Sequence, residues 1–216
     1  TNRLDILLIA ARLQDERGNH QAAVVAYEDA LIKGAPIADI AGPLARAYMN
    51  LEDGTAVERI LGSVPDRPDL AAIRGDLYES TGSLRKAMGA YETALASTPD
   101  NVDLLKRLGR VYERLGSRES AAEVYTRALQ NAPGEIDLLI TLGDVLRELD
   151  RNAEARPRYQ AAIDAGAKRV DAFNGLGLSA EALRRLRESR LAYRNALFLD
   201  PQNAIALAGL QRVRPP

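Results

Sequence analysis

The tyrosines of this chain sit on a ruler 34 residues long. Tyr91, Tyr125, Tyr159 and Tyr193 are spaced by 34, and Tyr78 and Tyr112 form a second column with the same spacing. Tyr27 and Tyr48 join these columns once a four-residue deletion near residue 60 is allowed, which places all eight tyrosines. A strict period of this length belongs to stacked repeats, each a supersecondary unit that cannot bury its apolar face alone. The architecture is therefore constrained before any local propensity is consulted.

Residues 102–135 show the unit most clearly. Leu105, Leu108, Gly109 and Tyr112 follow the i, i+3, i+4, i+7 spacing of an amphipathic helix, and Gly116-Ser117 breaks it. Ala121, Tyr125 and Ala128 repeat the spacing until Pro133 stops it, so the unit reads as helix, turn, helix. Gly75, Gly109, Gly143 and Gly177 share one register, and Ala23, Ala87, Ala121 and Ala155 share another. Glycine inside a helix costs about 1 kcal/mol against alanine, so its recurrence implies a close helix approach that offsets this. The bulky column beside it, Tyr27, Leu61, Tyr91, Tyr125, Tyr159 and Tyr193, fills the space so created.

These columns resemble the tetratricopeptide repeat (TPR) family, whose unit is a pair of antiparallel helices, A and B. The resemblance implies an all-α, right-handed superhelical solenoid of about thirteen helices forming one domain over 1–216. Its units would be 4–37, 38–67, 68–101, 102–135, 136–169 and 170–203, followed by a terminal helix over 204–214 before Pro215. Leu7, Ala41, Ala71, Leu105, Leu139 and Phe173 replace the family's frequent early tryptophan. The second unit is short, which predicts a truncated helix over about Gly54–Val64, and Pro43 is expected to kink or delay the helix that contains it.

Composition narrows the functional classes. With a net charge of −1 the chain gives no global case for nucleic acid or an anionic membrane, although a local basic patch is compatible with it. There is no cysteine, hence no disulfide framework or thiolate metal site. The longest apolar run, Leu4–Leu13, is interrupted by Asp5 and Arg12 and is too short to span a bilayer. The chain opens on Thr1 rather than methionine, which points to a processed or excised fragment. A cytoplasmic or a periplasmic setting fits equally well.

Chemical motifs mostly dissolve into the repeat. Gly175-Leu176-Gly177-Leu178-Ser179-Ala180 matches a dinucleotide-cradling turn, but no strand precedes it and Gly177 belongs to the small-residue column. His20 has no cysteine or second histidine to join it as a metal ligand or base, and reads as a solvated turn residue. Asp5, Asp39, Asp69, Asp103, Asp137 and Asp171 recur at the starts of A helices, where a carboxylate complements exposed N–H groups and the helix dipole. The tyrosine columns face between helices and are assigned to the core. No catalytic, metal or cofactor constellation remains, so the chain is expected to be non-enzymatic.

The resemblance further implies that A helices line a concave groove along which partner segments lie. The groove-facing pairs would be Leu8/Arg12, Gly42/Arg46, Ala72/Asp76, Lys106/Arg110, Ile140/Asp144 and Asn174/Leu178, with Arg107, Arg114 and Arg147 nearby. Partner-binding candidates are thus Arg12, Arg46, Asp76, Lys106, Arg107, Arg110, Asp144 and Asn174. Arginine forks suit carboxylates, so a protein or peptide partner with acidic character is expected. The lysine/asparagine/arginine set that some relatives use to clamp chaperone tails is not reproduced at the matching columns.

Three readings follow. One is a protein-interaction scaffold binding a segment in the groove. Another is the TPR region of a larger bacterial assembly, such as a polysaccharide-export protein or a TPR-fused transferase. The third is a homo-oligomer built through the solenoid ends. In interior units apolar A-helix residues meet the preceding unit, but Ile6, Ile9 and Leu13 have no such unit before them. They are expected to form an edge interface.

Overall fold

The computed structural model describes residues 3–65 and 67–214; Pro215 lies outside them. Among the described residues there are thirteen α-helices and no strand. Two compact units divide them, Thr1–Pro99 and Asp100–Pro216. The first holds α1 (Arg3–Glu16), α2 (His20–Ile32), α3 (Ile37–Asn50), α4 (Gly54–Gly62), α5 (Pro68–Ser80) and α6 (Leu84–Ser97). The second holds α7 (Val102–Arg114), α8 (Arg118–Asn131), α9 (Ile136–Glu148), α10 (Asn152–Asp164), α11 (Val170–Ala182), α12 (Leu186–Leu199) and α13 (Ala204–Arg212). Within each unit consecutive helices pair, and the pairs stack.

The turns obey the same ruler. Each of the six A-to-B connections has one residue at positive φ: Gly18, Glu52, Gly82, Gly116, Asp150 and Arg184. Glycine takes this left-handed backbone freely, whereas Glu52, Asp150 and Arg184 do so against a steric penalty. Their persistence shows that the hairpin geometry is imposed by helix packing rather than by turn chemistry alone.

Three local expectations are refined. The helix α4 is truncated to nine residues, with Asp53 Oδ1 accepting the Ala56 N–H at 2.9 Å as its cap. The helix around Pro43 is not delayed; α3 begins at Ile37 and runs through Pro43 to Asn50, with Ile40, Ala41, Leu44 and Ala45 fully packed. Burial of that flank outweighs the single lost backbone bond. The terminal helix stops at Arg212, two residues earlier than expected.

The aspartate column lies one or two residues inside its helices rather than at the caps. True caps are Asn101 and Asn203, whose Oδ1 atoms accept the N–H groups of Leu104 and Ala206 at 3.0 Å. Asp69 and Asp171 complement the dipole and are gripped by Arg67 and Arg169 just upstream. His20 is not a solvated turn residue. It opens α2, bonds Asp15 Oδ1 at 2.7 Å and lies 3.3 Å from the Asn50 amide, joining α2 to the end of α3.

The core follows the bulky column. Tyr27, Tyr91, Tyr125, Tyr159 and Tyr193 are among the largest fully buried side chains. The other tyrosine column is less enclosed: Tyr48 is buried, but Tyr78 and Tyr112 are only half-buried, and Lys86 lies over the Tyr78 ring.

Candidate functional site

A buried phenol seeks a hydrogen-bond acceptor, and for Tyr91, Tyr125, Tyr159 and Tyr193 that acceptor is a carboxylate on the A helix of the same repeat. Tyr91 donates to Asp76 at 2.7 Å and Glu79 at 2.9 Å, Tyr125 to Glu113, Tyr159 to Asp144 at 2.7 Å, and Tyr193 to Glu181 at 2.7 Å. Two positions one turn apart share this task. Where the first is Arg110 or Leu178, the second is Glu113 or Glu181; where the second is Arg147, the first is Asp144. Burial, reinforced by these carboxylates, pushes the Tyr91, Tyr159 and Tyr193 phenols up from 10.0.

Asp76 and Asp144 are therefore acceptors for core tyrosines and not free groove acids. Burial raises the Asp144 carboxyl above 3.8, against the hydrogen bond from Tyr159, which lowers it. The folded protein thus keeps this proton to higher pH than the unfolded chain does. Its stabilising effect is fully present below about pH 3.8 and is lost as pH rises through the raised folded value. Comparing denaturation of the wild type and Asp144→Asn over a pH series should show that slope in the wild type and its loss in the variant.

Alternate use of the two positions leaves guanidinium groups on the A-helix face of the second unit. Lys106, Arg110 and Arg114 of α7 line a pocket of about 420 Å3, with Glu113, Asp137, Leu138, Thr141 and the edge of Tyr125 completing it. Lys106 is salt-bridged to Glu135 across to the start of α9. Arg107 is half-buried and does not line the pocket. Ile140, expected in the groove, is buried; Thr141, one residue on, lines the pocket instead.

Thr141 interrupts a glycine register at this point. Each tyrosine of the second unit lies beside the glycine of its own A helix. In the last two interfaces a second glycine, on the next A helix, covers the opposite flank. A Cβ on Gly143 or Gly175 would meet Tyr159 atoms at 2.8 or 2.2 Å, and one on Gly177 or Gly209 would meet Tyr193 at 2.5 or 2.3 Å. Gly175 and Gly177, the apparent dinucleotide motif, are thus the cradles of two successive tyrosines within one helix. Thr141 stands 34 residues before Gly175 and lines the pocket beside Tyr125, where a glycine in that register would pack against the ring.

The tetratricopeptide repeat family model matches residues 74–136 and 140–204. The chain belongs to the tetratricopeptide repeat family. No curated protein sequence matches this TPR chain. Among solved structures, PilF of Pseudomonas aeruginosa superposes with a TM-score of 0.73 at 16% identity, covering 97% of each chain. MamA gives 0.64 at 23% identity over 68% of this chain and 80% of its own. YrrB, described as a TPR protein with an unusual peptide-binding site, gives 0.62 at 17% identity over 95% of this chain and 90% of its own. These similarities establish the fold.

The remaining candidates of the TPR chain sit elsewhere. In the first unit Arg12 and Arg46 are exposed and both act electrostatically on the Tyr27 hydroxyl, whose pKa is raised chiefly by burial. In the second unit Asp144, Asn174 and Leu178 border a pocket of about 560 Å3 together with Arg147, Arg169 and Asn203. Asn174 is buried, and its amide donates to Asn203 Oδ1 at 2.9 Å, so it ties α11 to the cap of α13. Arg212 adds a two-pronged bond from α13 to Glu181, which lowers the Glu181 carboxyl pKa. Ile6, Ile9 and Leu13 are 56%, 52% and 44% exposed along α1. Among the described residues no cluster of histidine, cysteine or acidic side chains could hold a metal ion, and no helix is long and apolar enough to cross a membrane.

Sequence reasoning missed Thr141, Leu138, Glu113 and Asp137 as pocket residues. Asp137 reads in the sequence as a member of the helix-start column. The signal for Thr141 was available as a break in a glycine column, Thr141 against Gly175 and Gly209.

Proposed function

We propose that this TPR protein is a non-catalytic interaction scaffold that holds an acidic or carboxylate-ending protein segment on the α7–α9 face of its second unit. The supporting observation is the pocket that gathers Lys106, Arg110 and Arg114 around an apolar floor of Leu138 and the Tyr125 ring edge. Guanidinium forks bind carboxylates bidentately, and the half-buried Lys106 adds a point charge already accustomed to one carboxylate, that of Glu135. An incoming carboxylate competes with Glu135 for this lysine, which favours a segment presenting more than one acid. Arg12 and Arg46 supply a separate basic pair on the first unit.

Reversing Lys106→Glu and Arg110→Glu together should weaken capture of acidic peptides about tenfold or more, with binding in the wild type falling as salt rises. Circular dichroism should be unchanged, because neither side chain is core. Capture that survives the double reversal moves the site off this face.

A second reading rests on the exposed stripe of α1. Ile6, Ile9 and Leu13 occupy the register that interior A helices use against a preceding pair, and about half of each side chain stays exposed. Self-association through this edge should be abolished by Ile6→Glu with Ile9→Glu while the monomer stays folded, as read by light scattering and circular dichroism. Unfolding of the first helix pair in that variant would assign the stripe to internal packing instead.

A further inference from the structure

The outward side of α12 is unlike that of any other helix in the second unit. Arg187, Leu191, Arg194 and Phe198 fall at i, i+4, i+7 and i+11, one line directly opposite the buried Ser189, Ala192, Tyr193 and Ala196. Leu191 is 61% and Phe198 87% exposed. Arg184 and Arg190 flank the line, and together with Arg187 and Arg194 on it their side chains make no ion pair among the described residues. Several other basic side chains of this unit are engaged, among them Arg118 with Glu148, Arg156 with Glu188 and Arg212 with Glu181. The one acid of α12, Glu188, faces α10 and is taken by Arg156 at 2.8 Å.

Repeat architecture does not require this face. At the positions of Arg187, Leu191, Arg194 and Phe198, α8 carries Glu119, Glu123, Thr126 and Gln130, and α10 carries Ala153, Pro157, Gln160 and Asp164. Those are the residues of a solvated outer surface. Of these three helices, α12 alone joins unpaired guanidinium groups to large apolar side chains among the described residues.

We propose that this face of α12 docks the protein on an anionic lipid surface, the arginines binding headgroup phosphates or carboxylates while Leu191 and Phe198 enter the interfacial layer. The line from Arg187 to Phe198 spans about 16 Å of helix, long enough to contact several headgroups at once. A membrane supplies both halves of the complement, negative charge at the surface and hydrocarbon just beneath. A nucleic acid duplex would satisfy the arginines but offers Leu191 and Phe198 no apolar surface. Net charge of the whole chain is −1, so attraction would be local and would orient the molecule with α12 toward the bilayer.

The test is sedimentation of the full chain with vesicles of phosphatidylcholine, alone or mixed with phosphatidylserine. Binding is expected only to the mixed vesicles, falling with added salt. Arg187→Glu with Arg194→Glu should reduce it about tenfold or more, and Phe198→Ser should reduce it with no change in charge. The chain has no tryptophan, so Phe198→Trp introduces a single reporter whose emission should shift to the blue on mixed vesicles. No sedimentation with the mixed vesicles overturns the proposal. So does an unshifted Phe198→Trp emission, and so does a DNA duplex bound as tightly as the vesicles with Phe198→Ser without effect on either.

Discussion

Replacing Tyr159 with alanine will destabilise the second unit by about 3–5 kcal/mol, measured by chemical denaturation. The ring is fully buried between α9 and α11, with Gly143 on one flank and Gly175 on the other. Backbone glycines line the site, so few side chains can swing in to refill it, and the cavity should stay largely open. The variant also strips Asp144 of the hydroxyl that donates to it at 2.7 Å. Tyr159→Phe separates the two effects: it keeps the ring, removes only the hydrogen bond, and should cost about 1–2 kcal/mol. A cost below about 1 kcal/mol for Tyr159→Ala would show that the column is not the core its burial indicates.

Gly175→Ala should destabilise by about 1–3 kcal/mol, even though alanine is the better helix former. A Cβ at this position would stand 2.2 Å from Tyr159 Cε1 and 2.3 Å from Cζ, far inside contact distance. The ring cannot retreat, because Gly143 presses its other side and Asp144 holds its hydroxyl. Combining Gly175→Ala with Tyr159→Ala should then be less harmful than the sum of the two. The alanine methyl enters the space the ring vacated, giving a coupling of about 1–2 kcal/mol in the double-mutant cycle. Additive losses would mean that α11 simply shifts to admit the methyl.

These two residues mark the boundary between what could be read in the chain and what could not. The glycine column Gly75, Gly109, Gly143 and Gly177 and the tyrosine column beside it are legible because each pair belongs to one repeat, and a repeat recurs at a fixed period. Gly175 and Gly209 act across the seam between repeats and occur only twice. In the sequence Gly175 looks like part of a nucleotide-binding turn, and only its distance to Tyr159 shows what it does.

The groove shows the same division. Lys106 and Arg110 were accessible as basic residues on an A-helix face, because i, i+4 spacing places them together. Asp76 and Asp144 read equally well as groove acids, and the structure assigns them to tyrosine hydroxyls instead. A carboxylate's partner depends on which side chain reaches it from the neighbouring helix, and period alone carries no such information.

By itself the sequence determined the helix pairs, their number and the residues that fill each pair, because those depend on spacing within 34 residues. Left-handed backbone at Glu52, Asp150 and Arg184 was not legible there, because no glycine marks those turns and helix packing imposes it. Tertiary structure decided which acids remain for a partner, that Thr141 lines a pocket, and which arginines of α12 lack a carboxylate. The reason is physical. Local periodicity sets which face of a helix is apolar, but the charge state and exposure of a polar side chain depend on neighbours that only packing brings within hydrogen-bond reach.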